Sequence, residues 1–115
     1  MTNPDCIFCK IARGEVKSDI LYRDDTVFVI RDIRPKAPTH LLVMPLEHVT
    51  SLASPRPGQE AILGHILTVA GQMAKREKVD VSGYRLIINQ GPDSGQEVPH
   101  LHLHVLGGRR LGAMG

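Results

Sequence analysis

The sequence predicts an α+β domain, an antiparallel sheet packed against one long helix. Three observations carry this. A single long window, residues 59 to about 78, repeats its apolar residues at helical spacing. Five short runs with β-compatible apolar content flank it, three before and two after. The chain between them holds turn signals but no repeat, low-complexity tract or Ser/Gly linker, so residues 1–115 read as one domain. At 115 residues, 42% of them hydrophobic, the length suits one core rather than two.

The elements follow in order. "CIFCKIARGE" reads as a short N-terminal helix ending near Gly14, because Ile7, Phe8 and Ile11 fall on one helical face. "DILYRD" and "TVFVIRD" read as a β-hairpin turning at Asp24 and Asp25. "IRPKAPT", with two prolines, is a loop. "HLLVMP" is a third strand that stops at Pro45, since proline has no N–H for a central ladder. After the breaker "SPRPG" comes the long helix, whose Ile62, Ile66, Val69, Ala70 and Met73 form one stripe. Lys75, Arg76 and Lys78 at its end complement the helix dipole. "YRLIINQ" and "HLHLHVLG" are the fourth and fifth strands, joined by the Gly/Pro-rich "GPDSGQEVP".

Composition excludes several functions. A net charge of +2 with scattered basic residues is no nucleic-acid stripe, and 3% aromatics gives no platform for stacking single-stranded bases. The start "MTNPDCIFCK" lacks a secretory pattern and no apolar run approaches membrane length, so the expectation is a cytoplasmic protein without membrane association.

The chemistry concentrates in "PHLHLHVLGG". On a strand, alternate side chains share a face, so His100, His102 and His104 line one side while Leu101, Leu103 and Val105 face the core. Three adjacent imidazoles repel one another when charged, a cost a structural strand avoids with threonine or valine. Imidazole is a nucleophile when neutral and an acid or cation when protonated. Two uses compete, zinc ligation and attack on an acyl or phosphoryl centre. HEXXH is absent, and phosphorus attack fits better beside an anion cradle. Residues 89–100 offer one: Gly91 and Gly95 permit positive φ angles that turn backbone N–H groups toward an anion, although surface loops with two glycines are common.

Cys6 and Cys9, one helical turn apart, suit a metal, a redox pair or two ordinary thiols, and the motif does not decide among them. His48 alone reads as a surface loop residue. His65, beside the apolar stripe, serves packing or a hydrogen bond. Arg109 and Arg110 read as a solvated tail.

With "HLHLHVL" followed by "GGR", and with "IFCKI", "VFVIRDIRPKAPTHLLVMP", "ILGH" and "LIINQG", the sequence resembles the histidine triad (HIT) superfamily over nearly its whole length. It is most similar to the histidine triad nucleotide-binding (HINT) branch. The resemblance implies the HIT-like α+β fold and a purine nucleoside phosphoramidase, or nucleotidyl hydrolase, acting on substrates such as adenosine 5'-monophosphoramidate. In it His102 attacks the α-phosphorus to give a covalent nucleotidyl-histidine, and His40 and His104 assist around the phosphate and leaving group. Asn89 and Gly95 would contact phosphate. Asp32 would grip the ribose, although at a strand end it serves equally as a turn residue. Ile7, Phe8, Ile11, Ile30 and Ile33 would form the purine slot. Glu97 departs from many relatives, which carry a phosphate-binding serine there. Its carboxylate repels a phosphate unless it turns outward, while its backbone N–H still serves.

The resemblance further implies a structural zinc on Cys6, Cys9, His48 and His100, no catalytic metal, and a homodimer. The rival readings are a dinucleoside polyphosphate hydrolase, against which "GGR" argues, a zinc hydrolase using the triad as ligands, and a nucleotide-binding regulatory module with vestigial hydrolysis, for which Glu97 argues.

Overall fold

A computed structural model describes residues 3–115. Helix α1 (Ile7–Ala12) is followed by strands β1 (Ile20–Arg23), β2 (Val27–Arg31) and β3 (Thr39–Pro45). Helix α2 (Gln59–Arg76) then leads to β4 (Tyr84–Ile88) and β5 (Leu103–Gly107), with one 3-10 turn, Pro92–Ser94, between these last strands. The five strands form one sheet in the order β1-β2-β3-β5-β4, every neighbouring pair antiparallel. The predicted element order and fold class therefore hold.

The hairpin turn is built by Asp24, whose Oδ1 accepts the backbone N–H groups of Thr26 and Val27. Its Oδ2 accepts from Tyr22 Oη and lies 2.6 Å from His65 Nε2, so His65 joins α2 to the hairpin, the hydrogen-bonding role expected of it. α2 ends at Arg76, two residues short of the expected end, because Lys78 adopts a positive φ of 62° that no right-handed helix continues.

Odd-numbered residues of the central strands, Val27, Val29, Leu41, Val43, Leu103 and Val105, pack against Ile66, Val69, Ala70 and Met73 of α2. Even-numbered Phe28, Ile30, Leu42 and Met44 pack against Phe8, Cys9, Ile11 and Ala12 of α1. The sheet is thus covered on both faces, not by one helix alone. Every residue of β3 is buried as a result, which is why "HLLVMP" reads as an unbroken apolar run.

The fifth strand begins later than expected. His100 and His102 precede it, and only His104 lies within the ladder. The cause is Pro45. Continuing the register from Val43↔Leu103 would set Leu101 opposite Pro45, which has no N–H to give. Leu101 N–H turns instead to Val49 O at 2.7 Å. Leu101 is still buried in the α2-side core with Leu103 and Val105, so the expected alternation survives without the ladder.

Candidate functional site and metal centre

All the histidines but His65 gather on the α1 face of the sheet. His40, on β3 opposite Leu106, and His104, on β5 opposite Leu42, are diagonal neighbours, and His40 Nε2 lies 2.9 Å from His104 Nδ1. Which atom donates is set one step away. The Lys36 backbone N–H donates to His40 Nδ1 at 3.0 Å, so His40 carries its proton on Nε2 and passes a hydrogen bond to His104 Nδ1. His104 then bears its own proton on Nε2, a buried atom with no partner among the described residues. Asp32 Oδ2 stands 3.4 Å from His40 Nε2 while its Oδ1 accepts the Arg34 N–H. Asp32 is therefore both the turn residue and a neighbour of the histidines.

His102 is arranged the other way round. Its Nδ1–H donates to the His100 carbonyl at 2.7 Å, which leaves the Nε2 lone pair uncommitted among the described residues. The His102 ring stands 5.1 Å, centroid to centroid, from both His104 and Phe8. An unprotonated nitrogen and an orphaned N–H donor thus sit on adjacent rings. Burial keeps His104 neutral, pushing it down to about 4, with His102 and His40 adding to the effect. Burial likewise lowers His40, against the opposing pull of Asp32.

The remaining histidines join the cysteines. Cys6 Sγ lies 3.4 Å from His100 Nδ1, Cys9 Sγ 3.4 Å from His48 Nδ1 and 3.5 Å from His100 Nδ1, and the two Nδ1 atoms are 3.2 Å apart. A tetrahedral zinc with ordinary Zn–S and Zn–N bonds sets such ligand atoms about 3.3–3.8 Å from one another. The four residues fit that ion. His100 Nε2 donates to Pro45 O at 2.9 Å, which turns the Nδ1 lone pair toward the cluster, the outer-shell bond a ligating imidazole needs. Burial holds His100 down to about 4, the neutral form a metal requires, and raises the Cys9 thiol, which would lose its proton on binding. Asp32, His40 and His104 also lie within reach of one another. Their 2.9 Å nitrogen pair, however, is a hydrogen bond, closer than two imidazoles on one zinc.

The other predicted residues are placed as follows. Phe8, Ile11 and Ile30 are buried in the α1-side core, with Phe8 reaching His102. Ile7 and Ile33 are 41% and 89% exposed, on the solvent side of the buried Phe8, Ile11 and Ile30. Asn89 follows β4 and is half-buried. Gly91 and Gly95 both take a φ of 85°, as their loop requires, but their N–H groups are used inside it, by Gln96 Oε1 and Pro92 O. Any anion cradle in residues 89–100 would therefore use other backbone N–H groups of the loop than these two. Glu97 points to solvent, and its backbone N–H has no acceptor among the described residues. Arg109 donates to Lys36 O and Arg110 O, making it a brace on the loop before β3 rather than a loose tail. The N–H of Lys36 and the carbonyl of Pro45 were missed from sequence because backbone groups carry no residue signature.

Residues 13–111 match the HIT domain family, and the chain belongs to it. It is 46% identical over 110 residues to the purine nucleoside phosphoramidase of Escherichia coli K12, covering 96% of this chain and 92% of that protein. It is 44% identical over 107 residues to a 14 kDa zinc-binding protein of Zea mays, covering 91% and 83%. Among solved structures, a histidine triad protein from Clostridium difficile superposes over the full length of both chains with a TM-score of 0.93 at 44% identity.

Proposed function

We propose that this chain is a HINT-branch purine nucleoside phosphoramidase that works through a nucleotide bound covalently to His102. The observation that carries the reading is the pairing of the free Nε2 lone pair of His102 with the unpartnered Nε2–H of His104. His102 Nε2 attacks the α-phosphorus, the P–N bond to the leaving amine breaks, and that nitrogen takes up a proton from solvent, which the water of the second step gives back. Water then attacks the same phosphorus, releasing a purine nucleoside monophosphate and returning the ring lone pair. His104 Nε2–H stabilises charge on a phosphoryl oxygen or the leaving group, and His40 holds His104 in the donating tautomer. Asp32 accepts the ribose hydroxyls, Ile7, Phe8, Ile11, Ile30 and Ile33 form the purine slot, and Asn89 and the loop around Gly95 contact phosphate. The exposure of Glu97 supports this reading over a regulatory module, since a solvated carboxylate repels an anion less, and its backbone N–H would serve the phosphate.

A purine phosphoramidase among the relatives supports the P–N substrate class. Cys6, Cys9, His48 and His100 would hold a structural zinc that cross-links α1 to the sheet. Within the cell, a cytoplasmic site of action suits two cysteines kept reduced as ligands. Among the described residues no helix is long and apolar enough to cross a membrane.

The deciding experiment is mass spectrometry of protein quenched while turning over adenosine 5'-monophosphoramidate. A nucleotide adduct on His102 is expected, and His102→Ala should abolish adduct and turnover yet still bind nucleotide. Wild-type turnover with no adduct, or faster turnover of a dinucleoside polyphosphate, overturns the reading.

A further inference from the structure

The backbone that presents His102 lies outside the sheet. Because Pro45 ends the pairing, residues 100–102 have no strand partner, and the hydrogen bond that orients His102 is accepted by a carbonyl in this unpaired stretch, that of His100. What fixes the carbonyl is therefore what fixes the histidine. Three groups do so. Leu101 N–H is bound by Val49 O, next to His48. The His100 N–H is bound by Val98 O. The His100 ring is held by Pro45 O on one side and by Cys6, Cys9 and His48 on the other.

The same cluster also sets the second support of His102. Phe8 lies between Cys6 and Cys9 on α1, and its ring meets His100 edge-on at 5.7 Å and His102 at 5.1 Å. Helix α1 has six residues and no side-chain N-cap, too short to persist unless it is held by its neighbours. Release of the cysteines would free Phe8 together with the helix.

We infer that the Cys6–Cys9–His48–His100 centre is a positioning device for His102: ligation anchors the His100 carbonyl and the Phe8 ring, and so keeps His102 in the single tautomer with Nε2 unprotonated. The four ligands touch no reacting atom, and the inference rests on His102 being the attacking group. An ordinary structural metal would hold the chain folded without affecting that ring. This one selects which nitrogen of a neighbouring residue is free.

The test compares zinc-loaded protein with protein stripped by a chelator, with zinc per chain measured in each. Long-range proton–nitrogen correlation spectra at mildly alkaline pH report the His102 tautomer, and the amide shifts of β5 report whether the sheet stays folded. Loaded protein should show His102 as the Nδ1–H tautomer alone. Stripped, folded protein should show both tautomers, and adduct formation on His102 should slow on the order of tenfold, as for other outer-shell losses. An unchanged single tautomer and an unchanged adduct rate after stripping overturn the inference. If stripping unfolds the chain, His100→Gln decides, since it keeps the backbone carbonyl and three ligands but removes the ring anchor. Mixed tautomers there support the coupling, and a single tautomer refutes it. The spectra need no substrate, so failure of the hydrolase reading would appear separately, as a loaded protein that never forms an adduct.

Discussion

One buried and one half-buried imidazole, with one carboxylate, govern how this protein responds to acid. His104 is held down to about 4 by burial and by its neighbouring histidines, against an ordinary value of 6.5. Between those values the unfolded chain binds a proton that the folded chain refuses. Stability is therefore fully present above about pH 6.5 and falls as the pH drops toward 4. His100 adds to the same window. Asp24 works at lower pH. Its partial burial opposes ionisation, but the hydrogen bonds from Tyr22, His65, Thr26 and Val27 prevail and hold its carboxyl below the usual carboxylate range. Its stabilisation is intact above about 3.8 and is lost below it. Thermal unfolding followed across pH should show the first decline in the histidine window, and His104→Asn should flatten it. An equally steep decline in that variant would refute the assignment.

At the level of elements, the two glycines of the motif that ends β5 differ from the glycines of the loop before it. Gly108 has a φ of 93°, and a Cβ there would sit 2.9 Å from Pro38 Cβ, in the loop that carries Lys36 toward His40. Gly95 has a similar φ of 85° but open space around it. Gly108→Ala should cost more than the roughly 1 kcal/mol of a positive-φ alanine, whereas Gly95→Ala should cost about that much. Chemical denaturation of the two variants ranks them, and equal losses would show that the Pro38 loop yields freely. The elements were legible where side-chain periodicity carried them: α2 in its stripe, β2 and β3 in their apolar runs. The start of β5 was not, because "HLHLHVL" alternates identically whether or not a neighbour supplies hydrogen bonds. That boundary depends on Pro45, 58 positions before Leu103, through a register visible only in three dimensions.

As a whole the molecule is compact, with a radius of gyration of 13.7 Å, close to the roughly 13 Å of a single folded chain this long. It still leaves an edge strand, β4, beside apolar surface. Leu67 is 52% exposed one turn from Gly71, whose face meets the Tyr84 hydroxyl. This surface suits the homodimer that the family resemblance implies, with β4 and the adjoining face of α2 as its expected seam, since exposed edges and apolar patches are otherwise kept short or charged. Sedimentation should find a dimer, and Leu67→Glu should shift it toward monomer. A monomeric wild type at micromolar concentration would refute it.

Residue types and their spacing were enough to name the groups capable of chemistry: three histidines on alternate positions, two cysteines a turn apart, a carboxylate at a strand end. Those choices are local, and alternation or helical period exposes them directly. Folding divided the labour among them. His100 turns to the cysteines and His102 to Phe8 and His104 because a proline without an N–H ends one strand pairing, and because backbone groups of Lys36, Pro45 and His100 decide which ring nitrogen bears a proton. Hydrogen-bond partners brought together from distant parts of the chain leave no trace in a linear pattern, so that division could be read only from the folded molecule.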